Sequence, residues 1–590
     1  MNNFWKYTLA TVLGSIITFF VICGIIVGFF AVIVSSFGEE EVIVKDNTVL
    51  QISLSSEIPD RTSDNPFDNI DFATFESNKI LGLNDILKTL EKAKTDERIK
   101  GIYLDLSSVP AGMASVEEIR NKLLEFKAAG KFIISYSSGY SQKAYYLASV
   151  SDKIYLNPQG SLEWKGLNSQ VMFYKGALEK LGVEAQIFRH GQFKSAVEPF
   201  MNDKMSDASK LQSSTLIQSI WDDMCTKISK QRKVSVADLN MFADSLMVYD
   251  AETALKYGMI DGIYYYDQVL TELQTKSGAA KDDNDFMIGM TKYSKATVEI
   301  KEKNNSTNKI AVIFAEGEIV DGGRKDGSIG GDFIAETIRK AREDEDVKAV
   351  VIRVNSPGGS GLASEIIWRE VKLTKEVKPV VISMGNLAAS GGYYISCPAS
   401  YIFAQPTTIT GSIGVFGMLP NVEKLMTEKL GITVDGVSTN SHSDFGSIMR
   451  PVNPTERNFI QKQVEDFYDV FVSRVSDGRG LTKAEVDSIG QGRVWSGANA
   501  IEIGLIDEFG GLDAAVKKAV SLAKLSDYRI FEYPEAEDFM QKIMSDMSVS
   551  ASQSMIKEVM GENYKLYQLL ETVKNLKGVQ ARMDYAIEIY

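Results

Sequence analysis

The chain repeats itself once, at a spacing of about 248 residues. The segment Lys100-Gly-Ile-Tyr-Leu-Asp-Leu106 returns as Lys348-Ala-Val-Val-Ile-Arg-Val354, and Lys131-Phe-Ile-Ile-Ser135 returns as Lys378-Pro-Val-Val-Ile382. Tyr145 and Tyr146 stand opposite Tyr393 and Tyr394, and the stretch from Tyr249 to Asp261 stands opposite the stretch from Trp495 to Asp507. The offsets are 248, 247, 248 and 246, so the register barely drifts. A period this long marks a duplicated domain and not a solenoid. Within each half, short Val/Ile runs alternate with amphipathic segments such as residues 363–376. That pattern predicts an α/β fold whose strands are buried on both faces. A polar stretch, residues 301–308, reads as the linker between a first repeat, 46–300, and a second repeat, 309–527. In the tail, 528–590, Leu566, Leu569, Leu570, Val573 and Leu576 recur at helical spacing and predict a packing helix.

Ahead of the repeats, residues 1–45 read as a membrane anchor. Residues 7–34 form a run of 28 without a charged side chain. At 1.5 Å rise per residue, about 20 residues cross a bilayer. The apolar core of a cleaved signal peptide spans only about 7–15 residues. Lys6 precedes the run and Glu39, Glu40 and Glu41 follow it, which places the amino terminus in the cytoplasm and the body outside.

Composition narrows the chemistry. The net charge is −14 and no long basic run occurs, which argues against nucleic acid or an anionic lipid surface as main partners. Three widely spaced cysteines, Cys23, Cys225 and Cys397, make neither a disulfide framework nor a metal-ligand pattern. With only two histidines, His190 and His442, no metal site is predicted, and no cofactor is called for.

The two halves have drifted apart at one place. Ala388-Ala389-Ser390-Gly391-Gly392 follows the apolar run 379–383 and precedes the aromatic pair Tyr393 and Tyr394. This is the layout of a strand-to-helix turn that lifts a serine into a cleft, with glycines that let the backbone approach a substrate carbonyl. The first repeat has Gln142, Lys143 and Ala144 there instead, and it lacks the Asn355-Ser-Pro-Gly-Gly359 turn. Conversely, only the first repeat carries Phe188-Arg-His-Gly-Gln-Phe-Lys194-Ser-Ala-Val-Glu198, for which residues 437–444 offer no lysine. One half thus supplies a nucleophile and the other a base. A serine needs such a base, either a histidine, here His190, or a lysine, here Lys194. A lysine must be neutral to serve, which means lowering its pKa from about 10.4 to near 7, worth about 4 kcal/mol, by burial in a dry pocket. The developing oxyanion needs aimed N–H donors, for which Gly391 and either Gly358 or Gly359 are placed.

Four motifs in order resemble the signal peptide peptidase A family in its long, duplicated, membrane-anchored form. They are Gly191-Gln-Phe-Lys-Ser-Ala-Val-Glu-Pro-Phe200, Asn355-Ser-Pro-Gly-Gly-Ser360, Asn386-Leu-Ala-Ala-Ser-Gly-Gly-Tyr-Tyr-Ile-Ser396 and Thr410-Gly-Ser-Ile-Gly414. The resemblance runs from the anchor to about Leu525. It implies that Ser390 is the nucleophile, Lys194 the general base and Ser412 the residue that orients the lysine, with Gly358 or Gly359 and Gly391 at the oxyanion. It implies two tandem crotonase-like repeats of the Clp-protease kind and a bowl-shaped homotetramer over the bacterial inner membrane, with its catalytic body on the periplasmic side. The substrates implied are residual signal peptides and other unfolded or membrane-released peptides. The alternatives are a crotonase-type acyl-CoA enzyme and a non-catalytic membrane scaffold.

Overall fold

The computed structural model describes residues 2–36, 42–63, 70–71, 76–77, 80–297, 306–323, 327–534 and 579–583. Each repeat is built on a sheet buried between helices. The first sheet has six strands in the order Gly262–Ile263, Lys153–Leu162, Phe132–Tyr140, Ile99–Asp105, Thr48–Ile52, Met287–Gly289, paired in parallel throughout. The second follows the order Val494–Ser496, Ile409–Gly411, Val380–Ala389, Val347–Ser356, Lys309–Glu316, Arg529–Tyr533, with Tyr401–Ala404 and Glu508–Phe509 branching from it. The Val/Ile runs lie at the centre of each sheet and are buried. A fully buried Val or Ile is worth about 1.5–3 kcal/mol, which accounts for these runs being continuous and not alternating.

The duplication is visible atom by atom. Tyr145 donates its hydroxyl to the Met259 carbonyl at 2.7 Å, and Tyr393 does the same to Leu505 at 2.9 Å. Asp261 accepts from the Ile154 amide and Asp507 from the Ile402 amide, both at 2.8 Å. Lys131 reaches the Ala93 and Asp96 carbonyls, as Lys378 reaches those of Ala341 and Asp344.

The repeats are locked together. Arg353, in the middle of the second sheet, is buried and meets Asp60 at 2.8 Å and Glu118 at 2.7 Å, both from the first repeat. Asn386 accepts from the Ser115 amide at 3.0 Å and donates to the Ser115 hydroxyl at 2.8 Å. A third, six-stranded sheet mixes the two: Ser328–Gly330, Glu318–Val320, Gly358–Ser360, Gln580–Arg582, Phe416–Asn421, Glu184–Arg189. The last of these comes from the first repeat and pairs antiparallel with Phe416–Asn421 of the second.

In the tail, Arg529–Tyr533 joins the edge of the second sheet beside Lys309–Glu316. Among the described tail residues, Arg529–Tyr533 and Gln580–Arg582 are strands, whose backbone groups find open sheet edges there. The predicted helix around Leu566 to Leu576 and most of the linker, 301–305, lie outside the described residues. At the amino terminus, Asn2–Ser36 is helical, and Phe4–Gly24 within it is long and apolar enough to cross a membrane.

Candidate active site

Ser390 sits where strand Val380–Ala389 turns into helix Gly391–Ser396. Its φ of +54° is a conformation that side chains rarely adopt, costing about 1–3 kcal/mol, so the surroundings must hold it. They do so through the Ser390 amide, which donates to the Gly411 carbonyl at 2.8 Å, and through the Ser390 carbonyl, which accepts from the Tyr394 amide at 2.8 Å. The following glycines are required by close packing. A Cβ on Gly391 would lie 2.7 Å from the Ser364 hydroxyl, and one on Gly392 would lie 2.8 Å from the Ser356 carbonyl oxygen.

Lys194 arrives from the first repeat, on the turn that follows strand Glu184–Arg189. The Phe193 amide donates to the Gln491 carbonyl at 3.0 Å, and Gln212 bridges the repeats, donating to the Phe193 carbonyl at 3.1 Å while accepting from the Val494 amide at 3.3 Å. The result is a composite pair. Lys194 Nζ lies 2.9 Å from Ser390 Oγ and 3.1 Å from Ser412 Oγ. All three residues are essentially inaccessible, at 1 %, 0 % and 1 % exposure. Lys194 Nζ lies 6.0 Å from the centroid of the Phe416 ring, which belongs to a buried cluster with Ala196, Val197 and Met418. Ser412 is itself held at φ +49°, with its amide on the Arg493 carbonyl at 2.7 Å. The Ser390 hydroxyl also lies 3.3 Å from the Gly414 carbonyl oxygen.

The glycine turn closes the other side. Gly358 and Gly359 adopt φ of +95° and +154°. A Cβ on Gly358 would fall 2.6 Å from the Gly391 nitrogen, so the turn and the amide after Ser390 face the same notch. The Gly358 amide itself donates to the Ser356 hydroxyl at 3.1 Å. The histidines lie elsewhere. His190 stacks on Tyr468 with ring centroids 4.0 Å apart, and His442 contacts Glu456 at 3.2 Å. Arg189 turns its guanidinium to the Lys194 carbonyl and to Glu198.

Two positioning residues escape a reading of the sequence alone. Gly492, at φ +85°, packs against the lysine so tightly that a Cβ there would lie 2.6 Å from the Lys194 Cα. Gln212 is one of many polar residues on a long helix, Asp207–Arg232. At the repeat offset of 246, the counterpart of Gly492 is Leu246, which also has a positive φ, +48°.

A buried serine–lysine pair at a strand-to-helix corner, with backbone amides beside it, is an arrangement of serine hydrolases. The sequence model of peptidase family S49 matches residues 125–280 and 372–526, one copy in each repeat. Protease 4 of Salmonella typhi is 39% identical over 478 residues, covering 79% of this chain and 76% of that protein. The chloroplastic serine protease SPPA of Arabidopsis thaliana is 32% identical over 549 residues, covering 92% and 78%. Among solved structures, a ClpP1 mutant from Listeria monocytogenes is 13% identical and aligns over 35% of this chain and 94% of its own, with a TM-score of 0.24. The chain belongs to peptidase family S49, in duplicated form, and is a serine protease.

Proposed function

We propose that the chain is a membrane-anchored endopeptidase in which Ser390 is the nucleophile and Lys194 the general base. The observation that carries this reading is the 2.9 Å contact between Lys194 Nζ and Ser390 Oγ, made between repeats in a pocket closed to solvent. Lys194 acts as the free amine, which burial in a dry pocket favours over an ammonium ion. It takes the Ser390 proton as Oγ attacks the peptide carbonyl, passes it to the leaving amine, and then activates the water that releases the acyl-enzyme. Ser412 orients the amine. Gly391 and the Gly358–Gly359 turn stabilise the oxyanion. The reading needs no cofactor.

The substrates that fit are extended peptides, residual signal peptides among them. The apolar helix would hold the body at the outer face of a bacterial inner membrane, where such peptides are left after processing, and a homotetramer would restrict entry to unfolded chains. Coenzyme A chemistry does not suit a body outside the cytoplasm. A scaffold would have no use for a buried lysine held against a strained serine.

Kinetics of the detergent-solubilised chain on a fluorogenic apolar peptide test the assignment. Ser390→Ala and Lys194→Ala should each lower kcat by at least about 1000-fold with the fold retained, the size of loss expected for a member of a catalytic unit. A Lys194→Ala enzyme within about tenfold of the parent would remove the lysine from the mechanism.

A further inference from the structure

The strand that delivers Ser390 breaks step with its neighbour once. Val347–Ser356 and Val380–Ala389 run in parallel register as far as Val354 and Met384, and register resumes at Ser356 and Ala388. Asn355 alone therefore stands opposite three residues, Gly385, Asn386 and Leu387. A bulge leaves its extra residues without ladder partners. The Asn355 side chain fills the gap. Its Oδ1 accepts from the Leu387 amide at 3.2 Å. A Cβ on Gly385 would lie 3.1 Å from Asn355 Cβ and Cγ, so the side chain is packed against the bulge. The Asn355 carbonyl accepts from the Gly317 amide at 3.0 Å, and Ser356, the next residue, opens the glycine turn.

With Oδ1 turned to Leu387, the Asn355 amide nitrogen is the group that bonds the Glu316 carboxyl, at the end of Lys309–Glu316. The same carboxyl accepts from the Asp60 amide, at 3.2 Å to each oxygen. The charges around it are few. Asp60 pairs with Arg353, which also pairs with Glu118. Arg61, beside Asp60, is taken up by Glu532 at 3.6 Å. Burial first, and then the Asp60 charge, raise the Glu316 carboxyl to about 7, against the pull of Arg353. Glu316 thus changes charge in the neutral range. Ionised, it is a charge-assisted acceptor for Asn355; protonated, it is a weaker one. The first repeat has neither group. Counted along the ladders from Ile52–Leu104 and Ile313–Ile352, Ser55 takes the place of Glu316. Ser107 takes the place of Asn355, with its hydroxyl 3.2 Å from that of Ser137. The carboxyl–amide pair belongs to the corner that holds Ser390.

We infer that Asn355 and Glu316 are positioning residues for the reaction: the ionised Glu316 carboxylate orients the Asn355 amide, which fixes the serine strand at Leu387 against the glycine turn that starts at Ser356. This rests on the Ser390–Lys194 reading above. Leu387 is three residues before Ser390, and Asn355 is three before Gly358. One side chain therefore sets the spacing between the nucleophile and the oxyanion donors, without touching substrate. The consequence is a second ionisation in the rate, separate from that of Lys194. The enzyme is faster once Glu316 has lost its proton.

A ratio of rates isolates this ionisation. Hydrolysis of the fluorogenic apolar peptide by the detergent-solubilised full chain is followed from about pH 5 to about pH 9. The chains compared are the parent, Glu316→Gln, Asn355→Ala and the double variant, each checked for folding by its unfolding midpoint. Glutamine copies the neutral acid, and Lys194 titrates in parent and variant alike. The two should agree within about twofold at pH 5 and diverge to about tenfold at pH 9, in kcat and not in KM, the difference between a charge-assisted and a neutral hydrogen bond. The midpoint of the divergence should lie near 7. Asn355→Ala should lower kcat by about tenfold at pH 9, and adding Glu316→Gln to it should change nothing further at any pH. A parent-to-Glu316→Gln ratio that is flat across pH, or that rises equally in the Asn355→Ala background, overturns the inference. Near-parental activity in Lys194→Ala, assayed alongside, would instead overturn the Ser390–Lys194 reading.

Discussion

The two repeats make the same corner and fill it in opposite ways. In the first, Gln142 stands where the second has Ser390, and its side chain is fully employed, donating to the Gly166 carbonyl and accepting from the Lys165 and Gly166 amides, each at 2.9 Å. Lys143, in the place of Gly391, extends its ammonium to the Ala111 carbonyl at 3.0 Å, and Ala111 is the counterpart of Gly359. One repeat thus plugs its notch with side chains. The other keeps the notch lined by backbone, with a strained serine at its rim. The difference teaches that duplication allowed a division of labour: the first copy became a support, and its surplus strand Glu184–Arg189 carries a lysine into the second.

The sharpest way to break this contrast is at the matching positive-φ residues, Gly492 and Leu246. Gly492→Ala puts a Cβ into the Lys194 backbone, and a displacement near 1 Å at a catalytic group costs on the order of 100-fold. We expect that loss in kcat/KM for Gly492→Ala, and less than about twofold for Leu246→Gly, measured on the same peptide. Equal effects at the two corners would contradict the division of labour.

Gln142→Ala should do the converse. It leaves two part-buried amides without their acceptor, so thermal or denaturant unfolding should show a loss of about 1 kcal/mol while kcat of the folded enzyme is unchanged. A smaller contrast lies where the first strand of each repeat ends. The second repeat has Glu316 there, whose carboxyl is raised to about 7, mainly by burial and then by the nearby Asp60 charge. A carboxyl raised above its unfolded value contributes stability at low pH and loses it as pH rises through the folded value. The parent should therefore lose on the order of 1–2 kcal/mol relative to Glu316→Gln between about pH 4.5 and 7, read from unfolding midpoints across that range.

Much of this was legible in the residues. The sheets, parallel except where Val494–Ser496 joins the second, follow from Val/Ile runs, whose continuous apolar pattern is local in the sequence. The pairing of Lys194 with Ser390, 196 residues apart, followed from comparing what each copy had lost. Gly492 and Gln212 were hidden because their role is contact across the repeat interface, which no local pattern records. The tail strand was hidden for a different reason. Gln580, Ala581 and Arg582 make a strand through backbone pairing with two waiting edges, so side-chain periodicity carries no trace of it.

The central claim is that one activated serine exists and that a lysine from the other repeat activates it. Labelling the full chain with a serine-reactive fluorophosphonate, followed by peptide mapping, tests it most directly. The account predicts a single modified residue, Ser390, and a rate of labelling that falls by at least about 100-fold in a folded Lys194→Ala chain. Modification at another serine, or labelling of Ser390 at the parental rate without Lys194, would contradict it.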